Sequence, residues 1–142
     1  MARGELRTPA CSSSRRSATL ELVSARPPIW IGHARLTVQD LERSVEFWRS
    51  LGMREVARNE QIAVLELRGG THLVLLPGSP EHDPDPSFDL MVEDLDAIHD
   101  DWAGRGLDVS SIEHGRIHSA FVISDPDGYR ITVNSSHVVG EV

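Results

Sequence analysis

The sequence predicts an α+β fold: two βαβββ units, about 29–78 and 86–136, that form a curved mixed sheet around a cleft, with the helices outside. Three observations carry the prediction. "VQDLERSVEFWRSLGM" from Val38 is echoed by "VEDLDAIHDDWAGRGL" from Val92, at a fixed offset of 54 residues. Each copy has one strand-like stretch before it and three after it. Between the copies lies "GSPEHDPDPS", a proline-rich acidic loop that punctuates the chain.

The elements follow in order. "HARLTV" reads as the opening strand. Asp40 then stands where a helix needs an acceptor for its free N–H groups. Leu41, Val45 and Trp48 recur at helical spacing and make a core face. Gly52 falls where a helix ends on a left-handed residue. "MREVAR", "IAVLEL" and "THLVLL" supply three strands. The second unit repeats the plan: "SFDLMV", a cap at Asp94, a core face of Leu95, Ile98 and Trp102, a stop at Gly106, then "LDVSSI", "SAFVIS" and "YRITVN". The two tryptophans are expected to pack rather than to box a ligand. A small sheet covered by one helix on one face buries its apolar side by pairing with a second such layer.

The chain has 142 residues, 39% of them apolar, which fits a single domain, 29–138. Residues 1–28 read as a flexible extension; "ATLEL" within them is the one stretch able to add an edge strand. They lack a signal peptide's continuous apolar core, and Glu5 and Glu21 argue against a transit peptide. No apolar run approaches the ~18–20 residues of a membrane span. All 14 basic residues are Arg; residues 1–28 carry +3, which leaves −11 on the rest, against −8 for the whole chain. An acidic body has little with which to neutralise phosphates, so nucleic acid is not an expected partner. It tolerates or attracts a cationic small molecule. Cys11 is the only cysteine, so no intrachain disulfide and no cysteine zinc site can form, in keeping with a reducing cytoplasm.

"HARLTVQDLERSVEFWRSLGM" at the start and "FVISDPDGYRITV" at the end resemble the vicinal oxygen chelate superfamily, which includes glyoxalase I, fosfomycin-resistance enzymes, extradiol dioxygenases and bleomycin-binding proteins. The first stretch resembles that family's opening strand and helix; the second resembles its closing hairpin, with Asp125-Pro126-Asp127-Gly128 as the turn. The resemblance covers roughly residues 29–136. It implies a cleft that holds a small molecule, and commonly a homodimer. One fold hosts many chemistries, so function has to be argued from the site.

In metal-using members of that family four strands each present one ligand: His or Gln, then Glu or Gln, then His, then Glu. Carried over residue by residue, those positions are His33, Val74, Ser87 and Thr132. The repeat supports the assignment, since Ser87 lies 54 residues after His33. Val74 has no donor atom, and neutral hydroxyls are poor ligands for zinc, nickel or iron. The resemblance therefore does not extend to a standard metal site. No cofactor is expected, with a divalent ion through His33 as the lesser alternative. A shifted set drawn from His33, His72 and Asp89 or His118 is the only substitute the strand alternation offers.

Other side chains expected to line the cleft are Arg35, Asp89, His118, Thr132 and Asn134. Arg35 and Asp89 are repeat-equivalent. They either recognise a polar ligand, Arg35 gripping a carboxylate or phosphate in forked geometry, or neutralise each other as an ion pair. His118 has the right intrinsic pKa for a general base, but "EHGRIH" has no partner for it and reads as a polar lip. Asn134 and Thr132 offer hydrogen bonds to a ligand or solvate a cavity wall. His137 is expected to be exposed, and His82, Asp83 and Asp85 to be a solvated linker. The expected function is small-molecule binding in the cleft without a standard metal site, as in bleomycin-binding relatives. The alternative is a glyoxalase- or dioxygenase-like lyase, isomerase or oxidoreductase with a reduced or shifted metal site; a bare dimerisation module is the third reading.

Overall fold

In the computed structural model the described residues are 27–137, and those from Trp30 onward belong to one compact body. The expected extension, 1–28, lies almost entirely outside the described residues, as does "ATLEL". The first unit runs β1 (His33–Val38), α1 (Leu41–Ser50), β2 (Arg54–Asn59), β3 (Ile62–Glu66), a 3-10 turn (Arg68–Gly70) and β4 (His72–Pro77). The second runs β5 (Leu90–Val92), α2 (Leu95–Gly104), β6 (Glu113–His114), β7 (Ser119–Ser124) and β8 (Arg130–Ser135).

Each unit builds its own four-stranded mixed sheet, in the order β1-β4-β3-β2 and β5-β8-β7-β6. The first and fourth strands of each unit are parallel; the other pairings are antiparallel. Two sheets and two helices are thus the predicted α+β fold. The second unit is thinner than its sequence suggests. "SFDLMV" contributes only Leu90–Val92, and "LDVSSI" only a single bridge from Val109 to Ile123, the ladder moving on to Glu113–His114. Val109 and Ile112 still pack against the core and the Ser110 N–H reaches the Val122 carbonyl at 2.8 Å, but the successive exposed Ser110 and Ser111 break the alternation there.

The helix signals work as the residue chemistry dictates. Asp40 accepts a hydrogen bond from the Arg43 N–H at 3.1 Å, and Asp94 one from the Ala97 N–H at 3.0 Å. Beyond the helices, Gly52 and Gly106 take φ of 108° and 79°, values that a Cβ would strain. Val45 and Trp48, with Leu95 and Trp102, turn into one core shared with Leu36, Val38, Leu75, Phe121, Ile131 and Val133. Trp48 is fully buried, and the Trp102 ring meets Phe121 edge-on at 5.7 Å.

Polar ties join the two units. The Tyr129 hydroxyl donates to the Thr37 carbonyl at 2.8 Å and accepts from the Glu81 N–H at 2.9 Å. The Gln39 N–H donates to Asp127 at 3.0 Å, and Arg105 reaches the Ser50 carbonyl at 2.7 Å. The acidic linker is therefore pinned at Glu81, and again where the Arg130 N–H donates to the Pro84 carbonyl at 2.7 Å. His82, Asp83 and Asp85 themselves are exposed.

Candidate functional site

Strand alternation sorts each sheet into two faces. In β1, Leu36 and Val38 are buried towards the helix, while His33 and Arg35 on the other face are exposed. The β1–β4 register sets His33 beside His72 and Arg35 beside Val74. In the second unit Phe121 and Ile123 go under the helix, which puts Ala120 and Val122 on the far face, paired with Asn134 and Thr132. Leu90 pairs with Val133, so continuing one residue back sets Asp89 beside Thr132. Arg35–Val74 and Asp89–Thr132 are therefore equivalent rungs of the two sheets.

On the first sheet this open face carries a row of His33, His72, Glu66 and Arg54 across four strands. The His33 and His72 rings stack at 5.7 Å, and Glu66 is paired to Arg54. Arg35 sits one rung along, exposed, and among the described residues it makes no ion pair. The expected Arg35–Asp89 pair is thus not formed: Asp89 instead accepts from the Asn134 side-chain amide at 3.0 Å. The two aligned positions lie on different sheets, and the sequence repeat that makes them equivalent does not make them neighbours.

On the second sheet Asn134 is buried and Thr132 half-buried, while Ser87 and Asp89 are exposed. The His118 Nδ1 contacts the Ser135 carbonyl at 2.9 Å, and its ring meets that of exposed His137 at 4.5 Å. His118 is thereby held at the lip of the β7–β8 hairpin. Among the described residues no hydrogen bond, ion pair or ring contact links His33, Arg35 or His72 to Ser87, Asp89, His118, Thr132 or Asn134.

The donor set does not fit the divalent ion that metal-using relatives hold. Of the four aligned positions His33 alone has a strong donor; Val74 is apolar and buried between the Arg35 and Val64 rungs. His72 does join His33, but Asp89 and His118 do not complete the shifted set, and no group of three His, Cys, Asp or Glu forms among the described residues.

Two features escape a reading of the sequence. The first is a mostly apolar cavity of about 440 Å³ at the seam of the two units, with walls that include Ala34, Met53, Leu73, Phe88, Leu90 and Val92. It requires knowing which ends of the two sheets meet. The second is Asp125, buried in the closing turn, where it accepts the Asp127 and Tyr129 N–H groups at 3.0 and 2.8 Å. Burial pushes its carboxyl up to about 6, against the lowering pull of the Tyr129 N–H. "DPDG" pointed to the turn, but not to the loss of solvent around its first residue.

No curated protein matches the chain. Solved structures share the fold at low identity. A member of the glyoxalase/bleomycin resistance protein/dioxygenase superfamily from Sphaerobacter thermophilus aligns at 20% identity and TM-score 0.65, covering 76% of this chain and 98% of that one. Lactoylglutathione lyase from Agrobacterium tumefaciens aligns at 19% and 0.66, covering 80% and 98%. TnmS3, an antibiotic binding protein from a Streptomyces species, aligns at 22% and 0.65, covering 78% and 98%. Among the described residues no helix is long and apolar enough to cross a membrane. The family model for the Glyoxalase/Bleomycin resistance protein/Dioxygenase superfamily matches residues 30–133, and with the paired βαβββ units it places this chain in that superfamily.

Proposed function

We propose that this protein binds a small polar molecule on the open faces of its sheets, without a standard metal site. One observation carries the reading: the positions that hold the ion in metal-using relatives are His33, Val74, Ser87 and Thr132, while Arg35, which has no ion-pair partner among the described residues, stands on the rung beside His33. Such a guanidinium is a ready fork for a carboxylate or phosphate on the ligand. His33, His72, Thr132 and Asn134 supply further hydrogen-bonding groups. A large planar drug suits this face less well. Trp48, Trp102, Phe121 and Tyr129 are buried, and the rings placed on these faces are the smaller imidazoles of His33, His72 and His118. TnmS3, of the same fold, is named as an antibiotic binding protein, and that name supports small-molecule binding.

The proposal includes a homodimer in the cytoplasm. His33, Arg35, Ser87 and Asp89 are all exposed in one chain, so a second copy laid on these faces would turn two open surfaces into a closed cleft. The test is a thermal-shift panel of small carboxylates and phosphates, on the protein and on Arg35→Ala. Binding stabilises the native state in proportion to ligand concentration over Kd. We expect at least one anionic compound to raise the melting temperature, and Arg35→Ala to lose most of that rise with its own unliganded stability unchanged. Equal shifts in both proteins would refute the role of Arg35.

A further inference from the structure

We propose that the cavity at the seam of the two units is a second small-molecule site, which takes a compact apolar molecule with a cationic head. It does not depend on the polar-face reading: of the polar-face residues only Asp89 reaches its rim.

The cavity lies at the ends of β1, β4 and β5, mainly on the helix side, with Asp89 and Met91 reaching it from the other face of β5. Further along the same strands that side is packed solid: Leu36, Val38 and Leu75 are at most 3% exposed. At the other end, half-buried Ala34 from the first sheet, Leu90 and Val92 from the second, and Phe88 just before β5 face a space of about 440 Å³, with Leu73 at its floor. Most of its apolar walls are only part-buried, so a guest that covers them removes apolar surface from water. The volume lies within the range of roughly 300–1,000 Å³ common to ligand pockets. Met53 closes one wall with a flexible thioether that adapts to the shape of a guest.

The rim sets the charge. Arg68 and Glu93 are paired across it at 2.8 Å, and each is about 70% exposed (69% and 73%). A pair that open holds its partners weakly, so Glu93 can turn to a bound cation at little cost. With Asp89 added, the rim carries one positive and two negative groups, on a chain of net charge −8. An ammonium is therefore drawn in and a carboxylate repelled.

The experiment uses the full chain with 13C-labelled methyl groups and 1-naphthylmethylammonium as the probe, with the neutral naphthylmethanol and 1-naphthoate as controls. The probe is expected to shift the methyls of Met53, Leu73, Leu90 and Val92, and to leave those of Val74, Val122 and Thr132 in place. Ala34→Phe, which puts a ring into the space, should abolish the shifts. Glu93→Gln alters only an exposed side chain and so remains informative if Ala34→Phe fails to fold. It should weaken the ammonium about three- to fivefold, the worth of one exposed pair, and leave the alcohol unchanged. The proposal is overturned if the shifts fall on Val74 and Thr132, if naphthoate binds as well as the ammonium, or if no methyl responds to millimolar probe. It is equally overturned if contacts from residues 1–26 or 138–142, or from a second copy, already fill the cavity in the free protein; Ile31 and Ser136, near both ends of the described chain, border it.

Discussion

Replacing Asp125 by Asn should flatten the pH dependence of stability between about pH 4 and pH 6. Asp125 is 6% exposed; one carboxylate oxygen takes two backbone N–H groups, and the other is buried without a partner. Burial is the leading cause of a pKa near 6 in place of 3.8; the nearby Asp127 charge adds to it, and the backbone N–H groups oppose it. The folded protein thus holds this proton more tightly than the unfolded chain. Where the folded state binds more protons, stability falls as pH rises. The favourable contribution is complete below about pH 4, is lost as pH climbs through 6, and is constant above that. The difference between 3.8 and about 6 is worth about 3 kcal/mol. Asparagine keeps the acceptor for the Asp127 and Tyr129 N–H groups and cannot ionise. Its own NH₂ sits where the orphan oxygen was, at a cost of about 1–3 kcal/mol, so the absolute stability at pH 7 changes less than the slope. The assay is urea denaturation of both proteins at half-unit steps from pH 4 to pH 7.5. The quantity read is the difference between the two curves, in which the other carboxylates cancel. That difference should move by a few kcal/mol in favour of the variant as pH rises. Parallel curves would refute the burial argument.

Three further outcomes follow from the same contacts. Tyr129→Phe removes the hydroxyl that joins Thr37 to Glu81 and should cost about 1–3 kcal/mol by chemical denaturation, with faster proteolysis in the linker near Glu81. Asp40→Ala and Asp94→Ala should each cost about 1 kcal/mol, since each removes one helix cap; near-additive losses in the double variant would confirm that the two caps act separately. The triple variant V74E/S87H/T132E restores the relatives' donor types and should gain a divalent ion that the parent does not hold, as read by nickel titration calorimetry; continued failure to bind would show that the strand register assigned to these positions is wrong.

The repeat made most of the architecture legible because it is a physical constraint stated twice. Asp40 with Asp94, Trp48 with Trp102 and Gly52 with Gly106 each do one local job, which needs only neighbours a turn or two away. The strand faces were legible for the same reason: Phe121 and Ile123 alternate with Val122 whatever lies across the sheet. What failed was anything decided between elements. Arg35 and Asp89 are equivalent by repeat yet stand on separate sheets, and Asp89 found Asn134 instead. "LDVSSI" packs Leu107, Val109 and Ile112 on the core, but its two adjacent exposed serines interrupt the alternation, and it left one bridge. Tyr129 read as the first residue of the strand "YRITVN", and its hydroxyl proved to tie both units and the linker together. The seam cavity depends on how two helix-side surfaces meet, which no stretch of sequence records.

The central claim is that the face bearing His33 binds a molecule without a resident metal. It is tested most directly by metal analysis of protein purified without chelator, and after add-back of zinc, nickel, manganese and iron, alongside His33→Ala. The account predicts substoichiometric metal that is the same in both proteins. One equivalent of a divalent ion, retained through dialysis and lost in His33→Ala, would contradict it.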